Sequence, residues 1–379
     1  MELNSYAVHS KNQYAAHLLT RDLLSASMER LATRCRLEDR DTISHGLSVR
    51  RRRIADLGSA DGSSSMETLK FAVQSIGDNL PLHITFEEHP ASSKEKLEAA
   101  LNASDDWFIK HDVTREVLMR SFYEPLFEPE SIDFMMSYIC THWLDSTDVS
   151  EGGSIADWKT LGATDKADTS QLGWTQVNEF NTPGHVREAW RVSLAHRHLA
   201  KFLSLRSIEL RAGSELLLVM VGEPHEFVTP SDGGPGPLSR AMKRCIDRGE
   251  LRREVLHRTI VPYFLRSVKD VESALTLAAE VEVEGKGTPG ALLQLIDCKS
   301  VPVTTRGDCD IIGGAFDLFW SIHLNSVESA NPTMFELQCI KAETRLVFDE
   351  IYDCEVGVPS SFVACTLRKR THECWDKFS

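Results

Sequence analysis

The 379-residue sequence lacks the signals of several protein classes. Basic residues are scarce: 42 Lys and Arg stand against 56 Asp and Glu, a formal charge of −14, which disfavours a protein that grips nucleic acid or an anionic membrane. The longest apolar run near a predicted strand, residues 216–221, is far shorter than the roughly 20 residues that span a bilayer. We therefore expect neither nucleic acid nor a membrane as a partner.

Paired cysteine motifs are also missing. The nine cysteines are scattered and no CxxC pair occurs, which excludes zinc-ribbon and thioredoxin-type sites. The first residues show no basic start followed by an apolar run, so we expect no secretory signal. These features predict reduced thiols and a cytoplasmic location. A GxSxG elbow, an HExxH motif and a phosphate loop are absent as well.

Strands and helices alternate along most of the chain. Apolar runs predict strands at 54–57, 80–86, 132–139, 216–221, 291–296 and 361–367. Helical spacing of apolar residues predicts helices over 15–38, 185–210, 238–248, 268–282, 310–325 and 333–350. This alternation predicts an α/β fold with a parallel sheet and helices on both faces.

Four consecutive arginines occupy residues 50–53, directly before the first strand. Runs of like charge in a soluble protein usually form a solvated face. Given the acid excess elsewhere, we interpret these arginines as such a face and not as a nucleic-acid patch.

The first strand ends in Asp56-x-Gly58-x-x-x-Gly62, where a doubly wound sheet binds its nucleotide. Glycines let the backbone approach a ligand closely. The turn is not a GxGxxG fingerprint and has no basic residue for a pyrophosphate, which favours a ligand without phosphates. Glu88 ends the next strand, where an acid can accept both ribose hydroxyls. A nucleoside without phosphate points to S-adenosylmethionine; the alternative is that both acids only cap turns.

Three motifs follow one another in the first part of the chain: SYAVHSKNQ at 5–13, IADLG at 54–58 and SYICTHWL at 137–144. They resemble motifs of the SABATH family of carboxyl methyltransferases, which includes salicylic acid, benzoic acid and theobromine methyltransferases. Looser resemblance continues to the last strand. It implies a Rossmann-like methyltransferase sheet of about seven strands with a mostly helical cap, S-adenosyl-L-methionine as cofactor, and a homodimer.

The resemblance also implies a division of the chain into core and cap. The expected parts are an N-terminal lid segment at 1–30, a Rossmann-like donor-binding core at 31–227, a helical cap at 228–286, a core strand at 287–306, cap helices at 307–337, and a final core helix and strand at 338–379.

Carried over position by position, the resemblance implies two sets of contacts. The methyl donor is expected to contact Tyr6, Ser10, Asp56, Gly58, Ser64, Glu88, His89, Ser121 and Phe122. The acceptor is expected to contact Gln13, Ile139, His142, Trp143 and Ile311. Among these, Gln13 and Trp143 are the pair that hydrogen-bonds a carboxylate. The chain departs from the family where Glu88 replaces Asp, His89 replaces Leu and Ser64 replaces an Asn; near Pro235 the family's cap Trp is missing.

A carboxylate acceptor suits these residues chemically. It is ionised at pH 7, since its pKa lies near 4, so direct displacement on a sulfonium needs no general base. A Gln amide and a Trp indole N–H orient a carboxylate without neutralising it. We expect an O-methyltransferase that forms the methyl ester of a small carboxylic acid, aromatic or similar. The alternatives are an N-methyltransferase and a non-catalytic, regulatory S-adenosylmethionine-binding protein.

Two site residues have other interpretations. Trp143 can simply pack in the core. His142 can shape the pocket wall, or act as a base toward a phenol or ring nitrogen, because imidazole titrates near neutrality. His196 and His198 do not share a helix face, so they predict no metal site. We expect no required metal.

Overall fold

The structure is a computed structural model. It describes residues 16–46, 48–77, 80–144, 191–223, 236–259, 261, 263–283, 289–305, 309–352 and 358–371. The sequence motif at 5–13 lies outside this part of the chain.

Seven strands form one sheet. They are β1 (Arg52–Leu57), β2 (Leu82–Glu88), β3 (Val113–Met119), β4 (Ile132–Tyr138), β5 (Leu210–Val221), β6 (Leu293–Thr305) and β7 (Val358–Lys369). Their order is β3-β2-β1-β4-β5-β7-β6, and only the pairings of β7 are antiparallel. The strand order reverses between β1 and β4, which are parallel neighbours. In open α/β sheets such a switch point is where ligands bind, beyond the carboxyl ends of the strands.

Ten α-helices are described in the same part of the chain. They are α1 (Arg21–Ser44), α2 (Ser63–Ile76), α3 (Lys94–Asn102), α4 (Asp105–Lys110), α5 (Arg197–Glu209), α6 (Pro237–Asp247), α7 (Arg253–Arg258), α8 (Val268–Ala278), α9 (Cys309–Ser329) and α10 (Met334–Ile351). A π-helical turn, Arg191–His196, leads into α5, and a 3₁₀ turn, Pro289–Leu292, precedes β6. Reciprocal side-chain caps begin α8 at Ser267 and α10 at Thr333, which satisfies backbone N–H groups that lack helical partners.

Three hydrophobic clusters account for the core. One joins α1 and α2 to one face of the sheet, and a second joins α5 and α8 to the other face. A third lies among α6, α7, α9 and α10 and includes the side chains of Trp143 and Tyr263. Helices on both faces of a mostly parallel sheet confirm the expected α/β class. The proposed division into lid, core and cap stays a prediction.

Strands buried on both faces are the best predicted elements. β4 and β5 are almost continuously buried, as parallel strands covered by helices are, and their apolar runs mark them in the sequence. β3 was not predicted, because this edge strand is only partly buried and carries Arg115 and Glu116. The short helices α3, α4 and α7 were not predicted either.

The interpretation of residues 50–53 as a solvated face is wrong for Arg52, while the side chains of the other three arginines are about one third exposed. The side chain of Arg52 is only 1% exposed and donates to Glu38 and Asp39 of α1. Arg50 donates to both carboxylate oxygens of Asp133, one of them at 2.6 Å. These acids come from the preceding helix α1 and from the start of β4, which is distant in sequence.

Asp133 is the buried centre of this ionic cluster. Its carboxylate is fully buried and accepts from Arg50 and from the backbone N–H of Arg53 at 2.9 Å. Burial alone would raise the pKa of Asp133, but these two bonds outweigh it and hold the pKa below its ordinary value. The ionised form therefore stabilises the fold above the pKa of the unfolded chain, near 4, and this contribution is lost as the pH falls through the folded value.

We predict that Asp133→Asn lowers the free energy of unfolding at pH 7 by about 3 kcal/mol, because it removes the buried carboxylate that pairs with the partly buried guanidinium groups of Arg50 and Arg34. Urea unfolding measures the change. The matched control, Asp112→Asn, removes the exposed ion pair with Arg51 and should cost less than about 1 kcal/mol. Equal losses in the two variants would contradict a special role for the buried cluster.

Candidate active site

Most of the predicted site residues lie at one edge of the sheet. Because β1, β2, β3 and β4 run parallel, their carboxyl ends meet there. The residues that follow these strands are Gly58, then His89, then Ser121 and Phe122, then Ile139, His142 and Trp143, while Asp56 and Glu88 belong to the strands themselves. Ser64 lies in the first turn of α2, which begins directly after the β1 turn. The predicted donor and acceptor residues are thus brought together along one edge.

For four of the predicted site residues, the position of the side chain is not described. Tyr6, Ser10 and Gln13 lie outside the described residues. Ile311 belongs to α9, but its side chain is not described. Their roles stay predictions.

The turn after β1 is pressed against the segment after β4. Gly58 has a φ of +79°, a conformation that side chains disfavour. A Cβ atom built on Gly58 would lie 2.5 Å from Sγ of Cys140, which is far too close. The Cys140 thiol in turn donates to the backbone oxygen of Leu57 at 3.1 Å. Only glycine allows the two segments to approach this closely.

Three carboxyl groups surround this turn. Asp56 accepts from the hydroxyl of Ser59 at 2.9 Å. Glu87 accepts from the N–H of Gly58 at 3.0 Å. Glu88 accepts from the N–H of Ala60 at 2.6 Å and from the Ser92 hydroxyl at 2.8 Å. The acids therefore hold the turn in shape.

Glu88 keeps hydrogen-bonding capacity for a ligand. Its oxygens accept three bonds in all, the third from the N–H of His89, and a carboxylate has about four acceptor positions. Bonds to both hydroxyls of a ribose would require at least one of these contacts to be replaced. A role for Glu88 in donor binding stays a prediction, beside the turn-capping role that the geometry displays.

Burial changes the ionisation of two of these acids. Burial raises the pKa of Asp56 to about 6, against the lowering effect of its bonds to Ser65 and Ser59 and with a further increase from the charge of Glu88. Burial and the same Glu88 charge raise the pKa of Glu87 well above its ordinary value. Oε1 of Glu87 has no hydrogen-bond partner among the described residues. Both shifts favour the neutral forms of Asp56 and Glu87.

The segment after β4 begins with a strained residue. Ile139 has a φ of +56°, which is rare for a β-branched side chain and costs about 1–3 kcal/mol. Its N–H donates to the oxygen of Val219 on β5 at 2.7 Å, which holds it there. This turn directs the following residues away from the sheet.

Trp143 is the partly buried end of this segment. Its backbone bridges to Tyr263, and the two rings meet edge to face with their centroids 5.8 Å apart. The Tyr123 hydroxyl donates to the backbone oxygen of Trp143 at 2.6 Å. Trp143 therefore lies in a defined place between the sheet edge and the aromatic cluster around Tyr263.

His142 is buried and neutral. Its ring lies 5.2 Å from the ring of Trp143, and its backbone oxygen accepts from the N–H of Phe264 at 2.9 Å. Burial, assisted by the positive charge of Arg266, lowers the pKa of His142 to about 3. Nδ1 has no hydrogen-bond partner in the described part of the chain. An imidazole with this pKa can line the pocket wall, but it is a weak base.

Ser121 and Phe122 extend the edge beyond β3. The Ser121 hydroxyl accepts from the N–H of Tyr123 at 3.2 Å, and the Phe122 ring packs edge to face on Phe202 of α5. Buried Arg206 donates to the Phe122 oxygen at 3.0 Å. Ser121 is thus held through its side chain, and Phe122 through its ring and its backbone oxygen.

The first described residues of the chain also reach this edge. The His17 ring packs against Tyr138 in a tilted arrangement, with ring centroids 4.3 Å apart, and His17 shares a hydrogen bond with the Thr68 hydroxyl of α2. Burial, with Arg21 nearby, lowers the pKa of His17 to about 4. The start of the described chain therefore packs across the end of β4.

Glu87, Cys140 and Arg266 belong to this region and were not predicted. Glu87 follows Phe86 on β2, and this part of the strand is buried on both faces. An acidic residue at the end of an apolar strand that is covered on both faces is the signal that could have pointed to Glu87. No local pattern marks Arg266, whose partners come from other parts of the chain.

The described residues lack two further features, a metal-binding cluster and a membrane-spanning helix. They contain no group of three or more His, Cys, Asp or Glu side chains that could hold a metal ion. In the same part of the chain, no helix is long and apolar enough to cross a membrane. His196, one of the two mid-helix histidines, bonds to Asp270 at 2.8 Å.

The comparison with protein families identifies the chain. The model of the SAM-dependent carboxyl methyltransferases matches residues 1–285, about three quarters of the sequence, and the chain belongs to this family. Methyltransferase FUS9 of Gibberella fujikuroi is 24% identical over 275 residues, which are 72% of this chain and 65% of that protein. The alignment thus covers less than two thirds of that relative.

Two further relatives are instructive. Anthranilate O-methyltransferase 2 of Zea mays is 27% identical over 157 residues, 41% of this chain and 37% of that protein. A solved loganic acid methyltransferase with SAH covers 98% of both chains with a TM-score of 0.71 and 16% identity. This likeness confirms the Rossmann-like fold. Membership of the family confirms S-adenosylmethionine as the cofactor.

We predict that Gly58→Ala weakens S-adenosylmethionine binding at least tenfold and destabilises the protein. The new methyl group adds a clash with Cys140 to the strain of a positive φ. Isothermal titration and thermal unfolding measure the two effects. Gly249→Ala is the control, because Gly249 has a φ of +74° but nothing within 4 Å of its Cβ position. It should cost about 1 kcal/mol, and Gly58→Ala about 1–3 kcal/mol more. Equal costs would contradict the close approach.

We predict that Asp56→Asn stabilises the unliganded protein at pH 8 by about 2 kcal/mol while weakening donor binding. Because the carboxyl pKa is raised, the stabilising contribution of Asp56 is fully present below the unfolded value near 4 and is lost as the pH rises through about 6. The gain of the variant over wild type should therefore vanish at pH 4. Urea unfolding at both pH values tests this, and a gain that does not depend on pH would refute it.

Proposed function

We propose that this protein transfers the methyl group of S-adenosylmethionine to the oxygen of a small carboxylic acid, which yields its methyl ester. The observation that carries this proposal is the position of Trp143. It follows the strand beside the Asp56 turn, and Leu57 of β1 pairs in register with Ser137 of β4. A donor held at the turn and an acid held at Trp143 would then be neighbours, as in-line displacement requires.

The chemistry of the pocket wall supports an acid that is already ionised. His142 has a pKa of about 3, so it is a poor base for a phenol or a ring nitrogen. A carboxylate needs no base. The indole N–H of Trp143 can orient the carboxylate, and Gln13 is the proposed second donor. Both are neutral, and their neutrality leaves the oxygen nucleophilic.

The names of relatives support the substrate class. Anthranilate O-methyltransferase 2 and loganic acid methyltransferase carry acids in their names. We therefore propose aromatic or similarly compact acids as acceptors. A relative named inactive anthranilate O-methyltransferase 1 is 24% identical over 155 residues, so a non-catalytic donor-binding protein is the alternative that the test must address. An N-methyltransferase is the other.

A panel of acids and amines tests the proposal. The full-length protein is incubated with S-adenosylmethionine and benzoate, anthranilate, salicylate, an indole acid or an aliphatic acid, and with amines of matched size. Mass spectrometry should find a methyl ester from at least one acid. Methylation of the amines alone would establish the N-methyltransferase alternative. Donor binding without any product would establish the non-catalytic one.

We predict that Trp143→Phe lowers kcat/KM for the acid about tenfold to a hundredfold and leaves donor affinity within twofold of wild type. The phenyl ring preserves the wall but removes the N–H donor, and a hydrogen bond to a charged group contributes about 1.5–3 kcal/mol. Steady-state kinetics and donor titration give the two numbers.

Trp107→Phe is the matched control, because Trp107 packs against Phe108 and His111 on α4 and should leave both numbers unchanged. Loss of donor affinity in Trp143→Phe would contradict the division of roles.

The proposal also covers the oligomeric state and the cellular location of the protein. We propose that the protein is a homodimer and that it works in the cytoplasm, as the resemblance and the cysteine pattern predict.

A further inference from the structure

Arg266 is a completely buried cation directly behind the acceptor-side segment. Its Nη1 donates to the backbone oxygens of Thr141 at 2.6 Å and of Phe264 at 3.3 Å. Its Nη2 donates to the oxygen of Ala195 at 3.0 Å. One planar guanidinium therefore ties together three segments that are far apart in the sequence.

The segment it holds carries the predicted acceptor contacts. Thr141 immediately precedes His142 and Trp143. The same segment is also joined by backbone bonds to Tyr263 and Phe264, which lie just before Arg266. A lysine could not replace all these bonds, because its compact ammonium lacks the fixed fork of donors.

The charge of Arg266 reaches the pocket wall. It helps lower the pKa of His142, whose ring lies 5.2 Å from the ring of Trp143. A positive charge that disfavours a protonated His142 favours an anion at the same place. The rest of the molecule opposes an anionic acceptor, because the net charge is −14 and the acids Asp56 and Glu88 border the donor turn.

We propose that Arg266 is the positioning and specificity-determining residue of the acceptor pocket. It holds Thr141 to Trp143 in place through their backbone, and its buried charge makes the pocket prefer a carboxylate to the uncharged carboxamide of the same shape. This inference rests on the proposed function. It goes further by assigning the preference for acids to a residue that does not touch the substrate.

The test compares an acid with its amide. Dissociation constants of benzoate and benzamide, or of the best acid of the panel and its carboxamide, are measured on the full-length protein saturated with S-adenosylhomocysteine. The variants are Arg266→Gln, which keeps amide donors but loses the charge, and Arg266→Lys, which keeps the charge but loses the fork. Arg52→Gln is the control, because Arg52 is equally buried and lies at the amino end of β1, away from the site.

Arg266→Gln should lower the preference for the acid over the amide on the order of tenfold, as expected for two unit charges separated by a few side chains at an effective dielectric constant near 20. Arg266→Lys should retain the preference while kcat falls, because Trp143 is no longer held firmly. Arg52→Gln should lower the melting temperature and leave the preference unchanged. An unchanged preference in Arg266→Gln, or a loss of the same size in Arg52→Gln, would overturn the inference.

The outcomes separate this inference from the proposed function. Wild-type protein that binds benzamide as tightly as benzoate, and methylates no acid, contradicts the proposed function itself. A wild-type preference that survives Arg266→Gln contradicts only the role of Arg266. If Arg266→Gln does not fold, Arg266→Lys alone decides, because a preference that falls although the charge is kept would refute the electrostatic role.

Discussion

The contact between the Gly58 turn and Cys140 is the constraint on which the site depends. β1 and β4 are parallel neighbours where the strand order reverses, and the chain leaves both strands at the same edge. With no space for even one added methyl group between the two segments, the positions of the donor turn and of Trp143 are linked. Methyl transfer requires the reacting atoms to approach within about 3–3.5 Å, so this linkage matters more than any single polar contact.

The charges around this contact are unequally distributed. Around the turn that we propose holds the donor, Asp56, Glu87 and Glu88 lie close together, and burial raises the pKa of Asp56 and of Glu87. Carboxyl groups at this place suit a bound sulfonium cation, which would favour their ionised forms. On the acceptor side, His142 is neutral and Arg266 is the buried cation whose charge it feels. The proposed donor site thus favours a cationic donor, and the proposed acceptor site favours an anionic acid.

Local patterns in the sequence predicted the buried strands and the turn after β1, because apolar runs and small residues have local signatures. They did not predict β3, because this edge strand is only partly buried and contains the charged residues Arg115 and Glu116. They failed for buried charges. Arg52 was interpreted as solvated because its pairing with Glu38 and Asp39 depends on how α1 packs against β1, which no local pattern shows. Arg266 was not noticed because its partners at Thr141 and Ala195 come from elements distant in the chain.

In the proposed reaction the methyl group is placed on a carboxylate oxygen. The most direct measurement uses S-adenosylmethionine with a trideuterated methyl group, the best acceptor found, and mild alkaline hydrolysis of the isolated product. The account predicts that hydrolysis returns the unlabelled acid and trideuterated methanol, since only an ester gives up its methyl group in this way. A label that stays on the hydrolysed acid would place the methyl group on nitrogen, carbon or a phenol and would contradict the account.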